Sequence, residues 1–274
     1  ASVGLAFVLI WRATRIVNFA AGGMLMITTF VASSVISSSG SYWLGFFVAL
    51  ALGFVLGGIV ERVLVRRVEG GPPLNAVIVT IGLLILLQAI AGMIWSATPR
   101  SFPPAFSIRG YHIGSHTYLF GPFDVFTVLS VLAIAAALFA LFQFTNLGLM
   151  MRASAFEPVV ARLQGVRVGN MLTLGWALAS LAGSLAGLLI GPQVFVGPNN
   201  FDPVAVFGFT AAVIGGLDSP LGAVVGGVGL GLSLSYVSGY AGASLVTLAA
   251  LAILVAVLMV RPSGLFTSTR TRRI

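Results

Sequence analysis

Six carboxylates, two histidines and fourteen arginines carry the side-chain charge of this 274-residue chain, and it contains no lysine and no cysteine. Without cysteine there is no disulfide framework, no thiolate metal site and no thiol nucleophile. Without lysine the phosphate-cradling pattern GxxxxGK[ST] cannot be written, so the chain is not itself a P-loop ATPase, and Schiff-base chemistry is excluded as well. His112 and His116 stand four apart in a polar segment, with no nearby carboxylate and no helical pattern. They read as a solvated loop feature rather than a metal site. The acids Glu61, Glu69, Asp124, Glu157, Asp202 and Asp218 all fall at or near the ends of apolar runs. An ion-coupled carrier buries ionisable groups near the membrane midplane, where their cost is tolerated because they move charge. None of the six sits firmly in mid-run. Uphill transport by this chain would have to draw its energy from another subunit.

The elements that must position these residues are set by composition. Hydrophobic residues make up 58% of the chain and charged residues 7%, against about a quarter charged in a soluble domain. The mean hydropathy is +1.09. This excludes a water-soluble globule and also disorder, which needs the opposite balance. Since about 20 apolar residues cross a bilayer, the chain reads as an all-α integral membrane protein, a polytopic bundle of about eight or nine segments forming one permease-like domain over residues 1–274. The runs are 16–36, 42–60, 74–95, 123–144, 170–190, the short 204–216, 221–240 and 243–260. Ala1 to Trp11 covers only about 17 Å as a helix, against a hydrocarbon core of about 30 Å. It reads as the end of a first span whose beginning is missing.

The net charge of +8 does not point to nucleic acid. The arginines are scattered between apolar runs, as the positive-inside rule expects of cytoplasmic loops. Placing the clusters at 62–67, 152–167 and 261–273 inside puts the turn at 37–41 and the proline-rich segment 98–122 outside, and the parity closes along the chain. Glycines recur four apart, as in Gly53 and Gly57, Gly183 and Gly187, and Gly222 and Gly226, a spacing that lets helices approach closely in lipid. Among polar residues in or beside the spans, Asn18, Phe19 beside it, Thr80, Gln88 and Thr210 are candidates for lining a pathway, with Asn199 and Asn200 at its outer mouth. Thr80 and Gln88 can equally serve as bonds between helices.

The connection 145–169 is the sharpest feature. From Gly148 to Gly165, small and apolar residues alternate with Arg152 and Arg162 in a helical pattern closed by a glycine. Such a segment is either an amphipathic helix that docks into a partner's groove or one that rests on lipid headgroups.

This stretch resembles the coupling loop of ABC importer permeases. More narrowly, the chain resembles the branched-chain amino acid type of permease, the first of the two paired in that system. The matching signatures run in order: Val17-Asn18-Phe19-Ala20; Glu61-Arg62-Val63 with Arg66; the coupling loop; Phe209 to Gly216; Gly222 to Gly227; and Arg261-Pro262-Ser263-Gly264-Leu265-Phe266. The resemblance implies a permease in the bacterial plasma membrane that pairs with a second related permease, is driven by two ATP-binding subunits that hold ATP and magnesium, and receives a small solute from an extracytoplasmic binding protein. It implies no cofactor and no catalytic residue in this chain. Coupling residues carried over are Gly148, Arg152, Ala153, Ala155, Glu157, Ala161, Leu163 and Gly165. Ala155, Pro158, Ala161 and Leu163 are expected on the docking face. The family often has two adjacent acids in this loop, where Phe156 replaces the first. It usually has a polar residue, Gly and Glu after Asn-Phe-Ala, where this chain has Ala21, Gly22 and Gly23. The family also includes carriers of urea and short amides. From other classes, a self-sufficient channel or secondary carrier is the alternative, and a membrane enzyme lacks a catalytic constellation.

Overall fold

The computed structural model describes the chain except residues 69–70, 111, 114–115, 118–119, 262–263 and 267–274. Glu69, Pro262, Ser263 and the arginines at 270, 272 and 273 therefore lie outside the described residues. The helices are α1 (Ser2–Thr14), α2 (Ala21–Ser39), α3 (Tyr42–Val60), α4 (Arg66–Val68), α5 (Pro73–Trp95), α6 (Pro122–Phe144), α7 (Asn146–Phe156), α8 (Pro158–Leu163), α9 (Val168–Val194), α10 (Asp202–Gly215), α11 (Pro220–Tyr240) and α12 (Val246–Val260). A π-helical turn, Glu61–Val65, joins α3 to α4 without a break in the rod. A two-residue antiparallel pair, His112–Ile113 with His116–Thr117, is the strand structure among the described residues. Seven of the described helices are long and apolar enough to cross a membrane, and α1 and α10 are shorter apolar helices. The chain is thus an all-α polytopic membrane protein.

Local chemistry explains the starts. Proline stands in the first turn of α5, α6, α8, α10 and α11, where its missing N–H is no loss. The hydroxyls of Ser219 and Thr145 accept from the Gly222 and Gly148 N–H groups at 3.0 and 3.1 Å, capping α11 and α7. Two boundaries differ from the sequence reading. Residues 16–20 form a turn, so α2 begins at Ala21, because Asn18 bends the chain with its own side chain. And α9 runs through Pro192 to Val194, since a proline near a helix end forfeits little of the ladder behind it.

Packing centres on α9, which contacts α1, α2, α3 and α7. Trp176, in its first half, is fully buried. On α3, Gly53 and Gly57 face α9 so closely that a Cβ at either would collide with Ser184, Ser180 or the Trp176 carbonyl. The glycine spacing read from the sequence is here a helix–helix contact. Gly215 on α10 and Gly222 on α11 meet in the same way, backbone against backbone. By contrast α5, α6 and α12 keep most of their surface outside the core.

The described contacts sort the connections into two faces. On one, the Arg15 guanidinium pairs with Asp218 at 2.7 Å, joining the α1–α2 turn to the α10–α11 turn. There too Arg66 reaches the start of α9, and the Leu265 N–H donates to Ile214 at 2.9 Å. On the other face Arg100 and Val196 pair through their backbones, and the Trp95 indole donates to Ser34 at 2.7 Å. Among described arginines, Arg100 and Arg109 are on this second face and the rest are on the first, the asymmetry the sequence parity required.

Candidate functional site: an arginine-rich face and a membrane-depth cavity

Two places bring the sequence candidates together. The first is the arginine-rich face. The segment 145–169 is helical, as expected, but not one helix. Glu157 takes φ −139° and ψ 76°, because a residue ahead of proline is pushed out of the helical region. The chain therefore turns between α7 and α8. Gly148 is required at the start: a Cβ there would strike the Leu141 carbonyl and the Phe142 backbone where α7 folds back on α6. Gly165 closes the segment at φ +83°, with open space around it, the left-handed conformation that ends helices and that glycine adopts without strain.

The two sides of this segment differ sharply. Ala161 is 3% exposed and packs with Val168 and Leu172 of its own chain. It therefore holds α8 against α9 and is not on an outward face. Ser154 is likewise buried. Phe156, Val159, Val160 and Leu163 stand out instead, with Leu163 83% exposed. Phe156 ends α7 and the other three lie on α8, so the four make an exposed apolar patch across the α7–α8 bend. Pro158, Ala153 and Glu157 are also exposed, and Ala155 is partly so. Beside Ala155 and Phe156 lies a cavity of about 560 Å³ that Arg12, Arg15, Arg152 and Asp218 also line. Three guanidinium groups face one carboxylate there. Arg12 lies 5.3 Å from the Phe142 ring centre and Arg15 lies 5.8 Å from that of Phe156.

The second place is deeper in the bundle. A cavity of about 220 Å³ is walled by Phe7, Phe19, Gly22, Leu84, Asp202 and Phe209, together with α10 and α12 side chains. Phe209 meets Phe7 edge-on at 5.6 Å and Phe19 at 6.3 Å. The Gln88 amide donates to Asp202 Oδ1 at 2.9 Å, linking α5 to the first residue of α10. The other pathway candidates have more local roles. Asn18 is buried, accepts from the Ala20 N–H at 3.0 Å and donates to the Met24 sulfur at 3.6 Å, shaping the entry to α2. Thr80 is buried and donates to the Ala76 and Val77 carbonyls of its own helix at 3.0 Å each. Asn200 donates to the Val194 and Phe195 carbonyls at 3.1 Å each, tying off α9. Asn199 is exposed, and its carbonyl accepts from the Asp202 N–H at 3.3 Å. Thr210 is fully buried, with no partner for its hydroxyl among the described residues. The site thus joins Phe19 and Gln88 through an acid that the sequence reading held only as a span-end charge. Its signal was the short run that Asp202-Pro203 opens, too brief to cross the membrane fully. The acid therefore enters the bundle below the surface.

A third group was missed in the same way. Glu61 is 1% exposed. Arg66 donates to both of its oxygens, at 3.0 and 2.8 Å, and the Thr173 hydroxyl donates to one at 2.6 Å. Arg66 also reaches the Gly169 carbonyl at 2.7 Å. This is a clamp between α3 and α9, not an open site.

A bundle of apolar helices, with exposed apolar side chains on its arginine-rich face and a cavity lined by Asp202, is a multi-pass membrane protein. The profile of the family described as the branched-chain amino acid transport system / permease component matches residues 1–260, and the chain belongs to that family. It is 27% identical over 281 residues to the high-affinity branched-chain amino acid transport system permease protein LivH of Escherichia coli K12, covering 97% of this chain and 90% of that one. BraD, the corresponding protein of Pseudomonas aeruginosa, is 24% identical with the same coverage. A probable branched-chain amino acid transport permease of Methanocaldococcus jannaschii is 27% identical over 96% of this chain and 87% of its own. No solved structure matches significantly.

Proposed function

We propose that this chain is the membrane subunit of an ATP-driven importer for branched-chain or related amino acids. It forms half of the pathway with a second related permease and takes its energy from separate ATP-binding subunits that hold ATP and magnesium. An extracytoplasmic binding protein supplies the solute. The arginine-rich face is cytoplasmic by the positive-inside rule, and the membrane is the bacterial plasma membrane. The observation that carries the reading is the exposed patch Phe156, Val159, Val160 and Leu163. Four large apolar side chains exposed together on a cytoplasmic face need a cover, and a groove on an ATPase subunit supplies one. The far side of the same segment packs through Ala161 on α9 and through Gly148 on α6. A push on the patch is therefore delivered to the central helix and, through α1 and α2 beside it, to the interior cavity. The family resemblance and the absence of lysine support placing ATP hydrolysis in partner chains.

Leu163→Asp tests this. Leu163 is exposed, so the chain should insert and fold normally. An unpaired carboxylate driven into an apolar groove costs several kcal/mol, about 3–5 by the measure of broken buried pairs. We expect loss of the ATPase subunits on purification and loss of uptake. A complex that keeps both would show that the patch rests on lipid instead.

A further inference from the structure

We propose that the Asp202 cavity is the pathway's solute-contacting site, with Asp202 receiving the ammonium group of the solute and Phe7, Phe19 and Phe209 receiving its apolar body. The proposal rests on the permease reading above and names the chemistry of its site. Depth is the first argument. Gln88, which binds Asp202, lies seven residues before Trp95 at the end of α5, about 10 Å along the axis and well inside a hydrocarbon layer of about 30 Å. A carboxylate at that depth is costly unless it faces water or a cation. Its partners are the second argument. Gln88 engages Oδ1 alone, and no described arginine pairs with Asp202, in contrast to Asp218 and Glu61. One oxygen is held in place, and the other has no hydrogen-bond partner among the described residues, which leaves it for a donor from outside the chain. Shape is the third. The remaining wall is apolar and aromatic, and about 220 Å³ suits a solute of a few heavy atoms. Small-molecule sites combine such walls with few, placed polar groups. A primary amine carrying a short branched hydrocarbon satisfies both ends. Gln88 is a positioning residue for the carboxylate.

The test uses the reconstituted complex. The native chain has no cysteine, so Val206→Cys, in the cavity wall, is a clean reporter. A hydrophilic thiol reagent should reach it. Leucine and 3-methylbutylamine, which shares its ammonium and branched body, should slow the labelling, and 4-methylpentanoate, which lacks the ammonium, should not. Asp202→Asn should remove the protection and lower leucine uptake by roughly tenfold or more, the scale of one lost ion pair, while Asp202→Glu should keep part of both. Protection by 3-methylbutylamine without ATP-driven leucine uptake would keep the site and remove the importer reading. A cysteine that the reagent never reaches, or labelling equally fast with all three compounds, would overturn the site whatever the uptake.

Discussion

Two carboxylates inside this bundle are treated in opposite ways. Glu61 is closed off: both oxygens are taken by Arg66, a third bond comes from Thr173, and 1% of the side chain is exposed. Among the described residues Asp202 has one side-chain partner, Gln88, and it lines a cavity. A charge fully satisfied by its own chain is architecture, because any other ligand would have to displace those bonds. A charge half satisfied beside open space is available to something that arrives. Glu61 is buried and Asp202 half-buried, and the difference in bond count separates a clamp from a site more sharply than residue type does.

Breaking the clamp should have the largest effect on folding. Arg66→Leu strands the Glu61 carboxylate with only Thr173, and removing one partner of a buried pair costs about 3–5 kcal/mol. Thermal unfolding in detergent should show a large drop in midpoint. Near-native stability would mean that Glu61 is not the closed charge described. The reciprocal contrast sharpens the point: the Asp202→Asn loss should appear in uptake while the unfolding midpoint moves far less than for Arg66→Leu.

Much of the fold was legible in the sequence. Apolar runs bounded by prolines gave the helices, and the arginine parity gave the two faces, because both follow from what lipid permits. The coupling segment was legible as helical but not in its sidedness. Ala161 is a small residue within an amphipathic pattern, and nothing local tells whether its face meets a partner or Val168 and Leu172 of the same chain. The bend at Glu157 was signalled by Pro158. The pathway residues were legible only in part. Thr80 and Gln88 look alike in a sequence, each a polar residue in an apolar run. The first satisfies itself on its own helix, and the second meets an acid 114 residues away. Long-range pairing of that kind leaves no local trace.

The smallest effect should come from the third acid, Asp218. Its pair with Arg15 is short, at 2.7 Å, but the side chains are 43% and 46% exposed. Exposed pairs are worth at most about 1 kcal/mol. A double-mutant cycle of Arg15→Ala and Asp218→Ala should give a coupling energy in that range and falling with salt. A coupling as large as that of the Arg66 clamp would mean that the cavity beside it is closed in the folded complex.

The central claim is that this chain moves solute only when other subunits supply the energy. Proteoliposomes containing the chain alone, and others containing it with a second permease, the ATPase subunits and a binding protein, test it with radiolabelled leucine under imposed proton and sodium gradients and with ATP. The account predicts no ATP hydrolysis and no accumulation by the chain alone, and ATP-dependent accumulation by the full complex. Uphill uptake by the chain alone, driven by either gradient, would contradict it.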